Sequence, residues 1–305
     1  MEPLYAHPLD ALRKFDPTLT ESDLDNDDYI GASDREKVRA RLDEVCDELE
    51  SETGRAFRER RVGAPGAPKT YDERDVSGGG GGRPLRVQLR NITPGDIVPL
   101  DPNEGDSLQI RTGKDKWEDI TADEGDSWQL NYKTGELKIY RRLVRRIYLR
   151  DPEDRYVKAT FRYGSLGGSK RRGGQTTLSS GVTDSETTLP VENAERLPRH
   201  GVLLVANDEY VRAEVDYESG EVNVEDRAIR ATTASAHDAG DPVHYCPLSV
   251  RSAVAARTAQ ELLRFDDWVD ELREASQSLG GKEKMDSWQD EWLRALSKHS
   301  GVRSL

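Results

Sequence analysis

Apolar residues recur along this chain with two periods, and each period predicts an element type. Between Ser33 and Phe57, residues Val38, Leu42, Val45, Cys46 and Leu49 fall three or four positions apart. That spacing puts them on one face of a helix. Arg39, Arg41, Asp43, Glu44, Asp47 and Glu48 cover the other face. Ser33 and Glu36 have the capping-box spacing, and Gly54 suits the left-handed position that ends a helix. Phe57 folds back onto the stripe. About 21 such residues make a rod of roughly 30 Å. A second helix is predicted from Val250 to about Ala275, capped by Ser249, with Val254, Thr258, Leu262, Phe265, Val269 and Leu272 continuing its stripe. After a break at Gly280-Gly281, Lys284 to Lys298 reads as a third, carrying Met285, Trp288, Trp292 and Leu296. Leu9 to Phe15 is a short helical candidate.

Two-residue alternation marks the strands. They are expected at Arg58–Val62, Leu85–Ile92, Ser107–Arg111, Trp128–Tyr132, Leu137–Tyr140 and Tyr156–Tyr163. The stretch from Ser127 to Arg142 reads as a hairpin turning at Thr134-Gly135. In the last strand Val157, Ala159, Phe161 and Tyr163 face one way, Lys158 and Arg162 the other, and Gly164 ends it. The five glycines before Arg83-Pro84 lack the Gly-Lys-Ser/Thr ending of a phosphate-binding loop, so they read as a flexible loop. A Gly-rich polar break follows Gly164. Thr176 to Tyr245 is then a small all-β unit, with tight turns at Asn207-Asp208 and Ser219-Gly220. The expected fold class is α+β: a helical domain with a β-hairpin or short sheet, from residues 1–164 and 247–305, interrupted by an inserted all-β domain at 165–246.

Composition narrows the setting. A chain of 305 residues accommodates two domains. Hydrophobic residues make up only 34%, charged residues another 34%, and the formal net charge is -13, with Arg outnumbering Lys. An acidic, Lys-poor chain that keeps clean helix and strand patterns looks adapted to a high-salt cytoplasm. Its charge argues against a freestanding nucleic-acid binder at ordinary salt. Two cysteines make no disulfide framework. No apolar run approaches a membrane span, and the N-terminus lacks a signal peptide's core, so an intracellular or virion-borne protein is expected.

Candidate chemistry is sparse. His237, Asp238, Asp241 and His244 form the sharpest metal-ligand spacing, set against a closing turn and strand in which His237 bonds locally. No Gly-x-Ser-x-Gly occurs, and neither Cys46 nor Cys246 sits in a nucleophile pattern. Arg141, Arg142, Arg145, Arg146 and Arg150 interrupt the acidic chain, followed by Lys170, Arg171 and Arg172. They read either as a phosphate-facing surface or as a solvated face paired with acidic neighbours. Met285, Trp288, Trp292 and Leu296 read either as core or as partner-facing anchors.

Two stretches carry a resemblance. One is the acidic-faced helix ending ESETGRAF. The other is a strand, VKATFRYG, followed after the insertion by a Pro-initiated helix, PLSVRSAVAARTAQELL. Their order resembles the head–tail connector, or adaptor, proteins of tailed viruses. The insertion, from TTLSSGVTDSETTLPV through GVLLVANDEYVRAEV to AHDAGDPV, is similar to a β module of virion proteins. The resemblance implies a structural, non-enzymatic protein in the neck of a tailed virus of a halophilic archaeon, assembled in the host cytoplasm. It implies a closed ring of about twelve subunits between portal and tail, contacting a tail-completion or tail-tube protein. Genomic DNA would pass along the arginines at 141–150, and Met285, Trp288, Trp292 and Leu296 would meet the portal. No cofactor and no membrane contact are implied. The alternatives are a tail-completion or neck decoration protein and, from a different class, a halophilic metal-dependent hydrolase using the His237 cluster.

Overall fold

The computed structural model describes residues 2–24, 32–64, 67–71, 76–78, 84–88, 97–113, 116–131, 136–140, 157–164, 174–245, 247–265 and 281–300. They fall into two compact units, one of residues 1–55, 166–168 and 174–305, the other of residues 56–165 and 169–173. The first unit opens with α1 (Pro8–Leu12), α2 (Glu21–Leu24) and α3 (Ala32–Thr53). α3 buries the stripe its spacing predicts: Val38, Leu42, Val45, Cys46 and Leu49. It ends at Gly54, whose φ of +63° costs glycine nothing. It begins at Ala32, so Ser33 stands inside the first turn rather than capping it.

The second unit is built of strands. They are β1 (Arg60–Val62), β2 (Lys69–Tyr71), β3 (Val76–Gly78), β4 (Leu85–Gln88), β5 (Ser107–Gly113), β6 (Lys116–Asp119), β7 (Trp128–Asn131), β8 (Glu136–Ile139) and β9 (Val157–Tyr163). One antiparallel sheet has the order β1-β9-β5-β6, with β2 also paired to β9; the other has the order β3-β4-β8-β7. The two strands of the predicted hairpin pair, with Trp128 opposite Ile139 and Leu130 opposite Leu137, while its expected turn at Thr134-Gly135 lies outside the described residues. Tyr71, Ile110, Val157 and Phe161 of one sheet share a core with Leu85, Val87, Trp128 and Ile139 of the other. The Trp128 indole N–H donates to the Ile120 carbonyl at 2.6 Å, which satisfies the one polar atom this large side chain takes into the core. Arg162, on the face of β9 opposite its apolar set, is also buried. Its Nε and Nη2 donate to Asp106 Oδ2 at 3.2 and 3.1 Å, and Nη1 meets Glu104. Gly164 is required where it stands: its φ is +130°, and a Cβ there would lie 2.2 Å from the Arg58 carbonyl oxygen.

Also in the first unit, residues 174–245 form a six-stranded antiparallel sheet. Its strands are β10 (Gln175–Thr177), β11 (Thr188–Leu189), β12 (His200–Val205), β13 (Glu209–Asp216), β14 (Glu221–Asp226) and β15 (Pro242–Tyr245), in the order β10-β15-β12-β13-β14-β11. Leu189, Leu203, Val205, Val211, Val215 and Val222 fill its core. The β12–β13 turn places Ala206 and Asn207 at φ +52° and +61°, one residue earlier than Asn207-Asp208 suggested. α4 (Leu248–Phe265) packs against α3 and α1 and buries Val250, Val254, Thr258 and Leu262. Ser249 lies inside its first turn, not at the cap, with Oγ 3.2 Å from His299 Nε2. α5 (Gly281–His299) runs antiparallel to α4; Gln260 Nε2 donates to the Met285 carbonyl at 3.0 Å, and Ser252 Oγ to Glu291 at 2.8 Å.

This architecture corrects the expected fold class. The protein is not a helical connector domain decorated by a hairpin or short sheet. Three antiparallel sheets carry most of it, and among the described residues the α-helices lie in the first unit. The physical reason lies in residues 56–165. Among the described residues there, no α-helix covers the apolar faces of the short alternating strands, so the strands pair into two sheets and bury those faces against each other. Among the described residues no helix is long and apolar enough to cross a membrane.

Candidate functional site

Within the first unit, the N-terminal segment is gripped largely through its main chain. Asn207, buried in the β12–β13 turn, accepts from the Leu4 N–H at 2.9 Å and donates to the Glu2 carbonyl at 2.9 Å. His244 Nε2 on β15 donates to the Leu4 carbonyl at 2.6 Å. The Tyr210 hydroxyl accepts from the His7 N–H at 3.0 Å and donates to Asp10 Oδ2 at 2.5 Å. Leu4, Tyr5 and Ala6 are buried, and the Tyr5 hydroxyl donates to Glu50 of α3 at 2.5 Å.

A charged cluster lies beneath this segment. His7 caps α1: its Nδ1 accepts from the Leu9 N–H at 3.1 Å, while Asp10 accepts from the His7 N–H at 3.2 Å. A neutral imidazole has one acceptor nitrogen. Using Nδ1 for the cap puts the proton on Nε2, which stands 3.8 Å from Glu21 Oε1. Arg35 Nη2 bridges Glu21 Oε1 at 2.7 Å and Asp208 Oδ1 at 3.0 Å; Arg39 also binds Asp208, and the Thr233 N–H donates to Glu21. Burial, reinforced by Arg35 and Arg39, lowers the His7 pKa from 6.5 to about 3. Burial raises that of Glu21 against the pull of Thr233 and Arg35. His7, Glu21 and Asp208 have the ligand types of a metal site and lie close enough together. Two guanidiniums already neutralise the two carboxylates, however, so a divalent cation would enter a site with no spare negative charge.

A second buried centre lies a residue further on. Glu209 is fully buried, and every acceptor direction is used. Arg227 donates to both oxygens at 2.9 and 2.6 Å, His237 Nε2 lies 2.9 Å from Oε2, and the N–H groups of Ala228 and Ser235 donate at 3.2 and 3.4 Å. Burial alone would push this carboxyl up, but the hydrogen bonds from His237 and Arg227 outweigh it and hold the pKa at about 2. The same bonds pin a loop in which Ala228, Arg230 and Ala231 have φ of +50°, +62° and +66°, a conformation unfavourable for residues with a Cβ.

The residues singled out by sequence fare differently. His237, Asp238, Asp241 and His244 do not converge: His237 turns to Glu209, His244 to Leu4, and Asp241 accepts from the Asp238 N–H at 2.9 Å. Trp288 and Trp292 are buried within their own unit, Trp288 edge-on to Phe15 at 5.3 Å and Trp292 beneath Arg257 at 5.8 Å. Met285 and Leu296 are half-buried, and Leu293 is the large apolar residue of α5 left 50% exposed. Arg141, Arg142, Arg145, Arg146 and Arg150 lie outside the described residues, as do Lys170, Arg171, Arg172 and Cys246. Sequence reasoning missed His7, Glu21, Arg35, Arg39, Asn207, Asp208 and Glu209. One signal was present: His7-Pro8 with Asp10 has the spacing of a reciprocal N-cap, although histidine is not among the usual capping residues. The chain gives no significant match to any family model, curated protein or solved structure.

Proposed function

We propose that the protein is a structural subunit of a tailed-virus neck, acting by assembly between portal and tail. The observation that carries this reading is the packing of α3 on α4, two helices nearly two hundred residues apart in the chain. They belong to the two stretches that resemble connector proteins, and the six-stranded sheet lies between them in sequence. α5 covers α4 and turns its tryptophans inward, so contact with a portal falls to the outward face around Leu293, not to Trp288 and Trp292.

Imaging the full chain by negative stain in molar salt, alone and mixed with portal rings, tests the reading. The expected particle is a ring of about twelve copies with a central hole. A monomer under both conditions overturns it. Within the same assay, Leu293→Asp is expected to lower co-sedimentation with portal at least tenfold while leaving the melting temperature unchanged. An exposed position tolerates the charge in the free subunit, and a buried contact does not.

A further inference from the structure

We propose that His7 is an acid-operated release for the N-terminal segment, residues 2–24, from the six-stranded sheet and α3. The proposal rests on which nitrogen is in use and is independent of the neck assignment. The only lone pair available to a proton is that of Nδ1, and it already accepts the Leu9 N–H that caps α1. A proton on Nδ1 therefore opposes two donors across 3.1 Å and removes the cap in the same step.

The surroundings make that proton costly: His7 has no exposed surface and faces Arg35 and Arg39, and the opposing pull of the Asp208 main chain and of Glu21, 3.8 Å from Nε2, does not offset them. Each element packed around it contributes a charged or titratable group. α1 gives Asp10, α2 gives Glu21, α3 gives Arg35 and Arg39, the β12–β13 turn gives Asp208, β13 gives Tyr210, and α4 gives Arg251, 4.0 Å from Asp10. Three carboxylates face three guanidiniums, so an imidazolium leaves one uncompensated positive charge in a buried site. Burial pushes the Glu21 carboxyl up, so its own protonation favours the docked state and works against the release that His7 drives. Once the segment lifts away, His7 returns to water and titrates normally, so protons favour the released state. What release uncovers is the row of main-chain-binding groups on Asn207, Tyr210 and His244.

The size of the effect follows from the two protonation equilibria. With the docked ring titrating at about 3 and the released ring at 6.5, the opening equilibrium rises about 30-fold between pH 8 and pH 5. Hydrogen–deuterium exchange of the full chain, corrected for the intrinsic pH dependence of exchange, reads this directly. Peptides covering residues 2–12 are expected to lose about 30-fold protection, while peptides from β12, β13 and β14 stay protected. His7→Asn keeps a capping acceptor that does not titrate, and its protection is expected to be flat over the same range. A wild-type change below threefold, or the same change in His7→Asn, overturns the proposal. Ring nitrogen NMR of the wild-type protein at pH 8 gives a test that does not depend on the variant folding. An unprotonated Nδ1 is required, and a proton on that atom overturns the proposal outright.

Discussion

Glu209 and His7 are neighbours in the first unit and opposites in how they tolerate burial. Glu209 keeps its charge in the interior because five donors converge on it, two of them from one guanidinium. His7 is equally buried but keeps itself neutral, with one nitrogen spent on a helix cap and the other 3.8 Å from the nearest carboxylate oxygen. The first arrangement locks a strained loop and resists acid. The second holds only while protons are scarce. Burial by itself therefore says little about robustness. The number of partners satisfied in the charged state decides whether a buried titratable group is a rivet or a catch.

The sharpest way to break the comparison is to remove the rivet. Glu209→Ala leaves Arg227 and His237 facing a cavity, frees the Ala228 N–H, and takes the restraint off three residues at positive φ. Stranding a buried partner of this kind costs about 3–5 kcal/mol, a large part of a domain's stability. Thermal unfolding of the full chain is expected to show the first unit melting far earlier. A loss below about 1 kcal/mol would mean that the loop is held by something other than this carboxylate.

Neither centre was read from the sequence, although parts of the fold around them were. The stripe from Val38 to Leu49 announced α3 and its buried face because both consequences follow from local periodicity. Six strands of the second unit were visible one at a time, but β2, β3 and β6 were not, and neither was the pairing into two sheets, because which edge meets which is set by contacts between distant segments. The same limit hid the sites. Asn207 reads as a turn residue, and it is one, but its grip on Glu2 and Leu4 spans more than two hundred positions. His237 was noticed for its neighbours in sequence, Asp238 and Asp241, while its partner in space is Glu209. Arg162 had the right alternation to face away from its strand's apolar set, and nothing local foretold Asp106 and Glu104 waiting there.

Acid sharpens the comparison, because the two groups lose their stabilising states in different windows. The docked His7 binds its proton at about 3 against 6.5 when released, so the folded state holds fewer protons than the unfolded one between those values. Its contribution is complete above pH 6.5 and is lost as pH falls, at up to about 1.4 kcal/mol per pH unit. Glu209 is held at about 2 against 4.5, so its contribution is complete above pH 4.5 and fails only as pH drops toward 2. Urea unfolding at pH 7, 5.5 and 4.5 is expected to show wild-type stability declining through a range in which the Glu209 contribution is still intact. His7→Asn removes most of that slope. An unchanged slope in the variant would assign the acid sensitivity to other groups.

The smallest expected effect lies at Asn207, which separates grip from backbone shape. The residue has φ +61° and supplies both an acceptor to Leu4 and a donor to Glu2. Asn207→Gly keeps the turn, since glycine adopts that φ freely, and deletes both bonds. With each net hydrogen bond contributing about 1 kcal/mol, the loss is about 1–2 kcal/mol. It should appear as faster exchange of the amides in residues 2–6, with the melting of the sheet little changed. Asn207→Asp retains the acceptor for the Leu4 N–H but turns a carboxylate oxygen toward the Glu2 carbonyl, so it should open the segment more than the glycine variant at neutral pH and less once the new carboxyl is protonated. Because His7→Asn and Asn207→Gly act on the same docked segment, their effects on its opening are expected to be coupled, not additive. Unaltered exchange of residues 2–6 in Asn207→Gly would show that the Asn207 bonds add nothing to the hold that apolar burial, His244, Tyr210 and the Tyr5–Glu50 bond already give this segment.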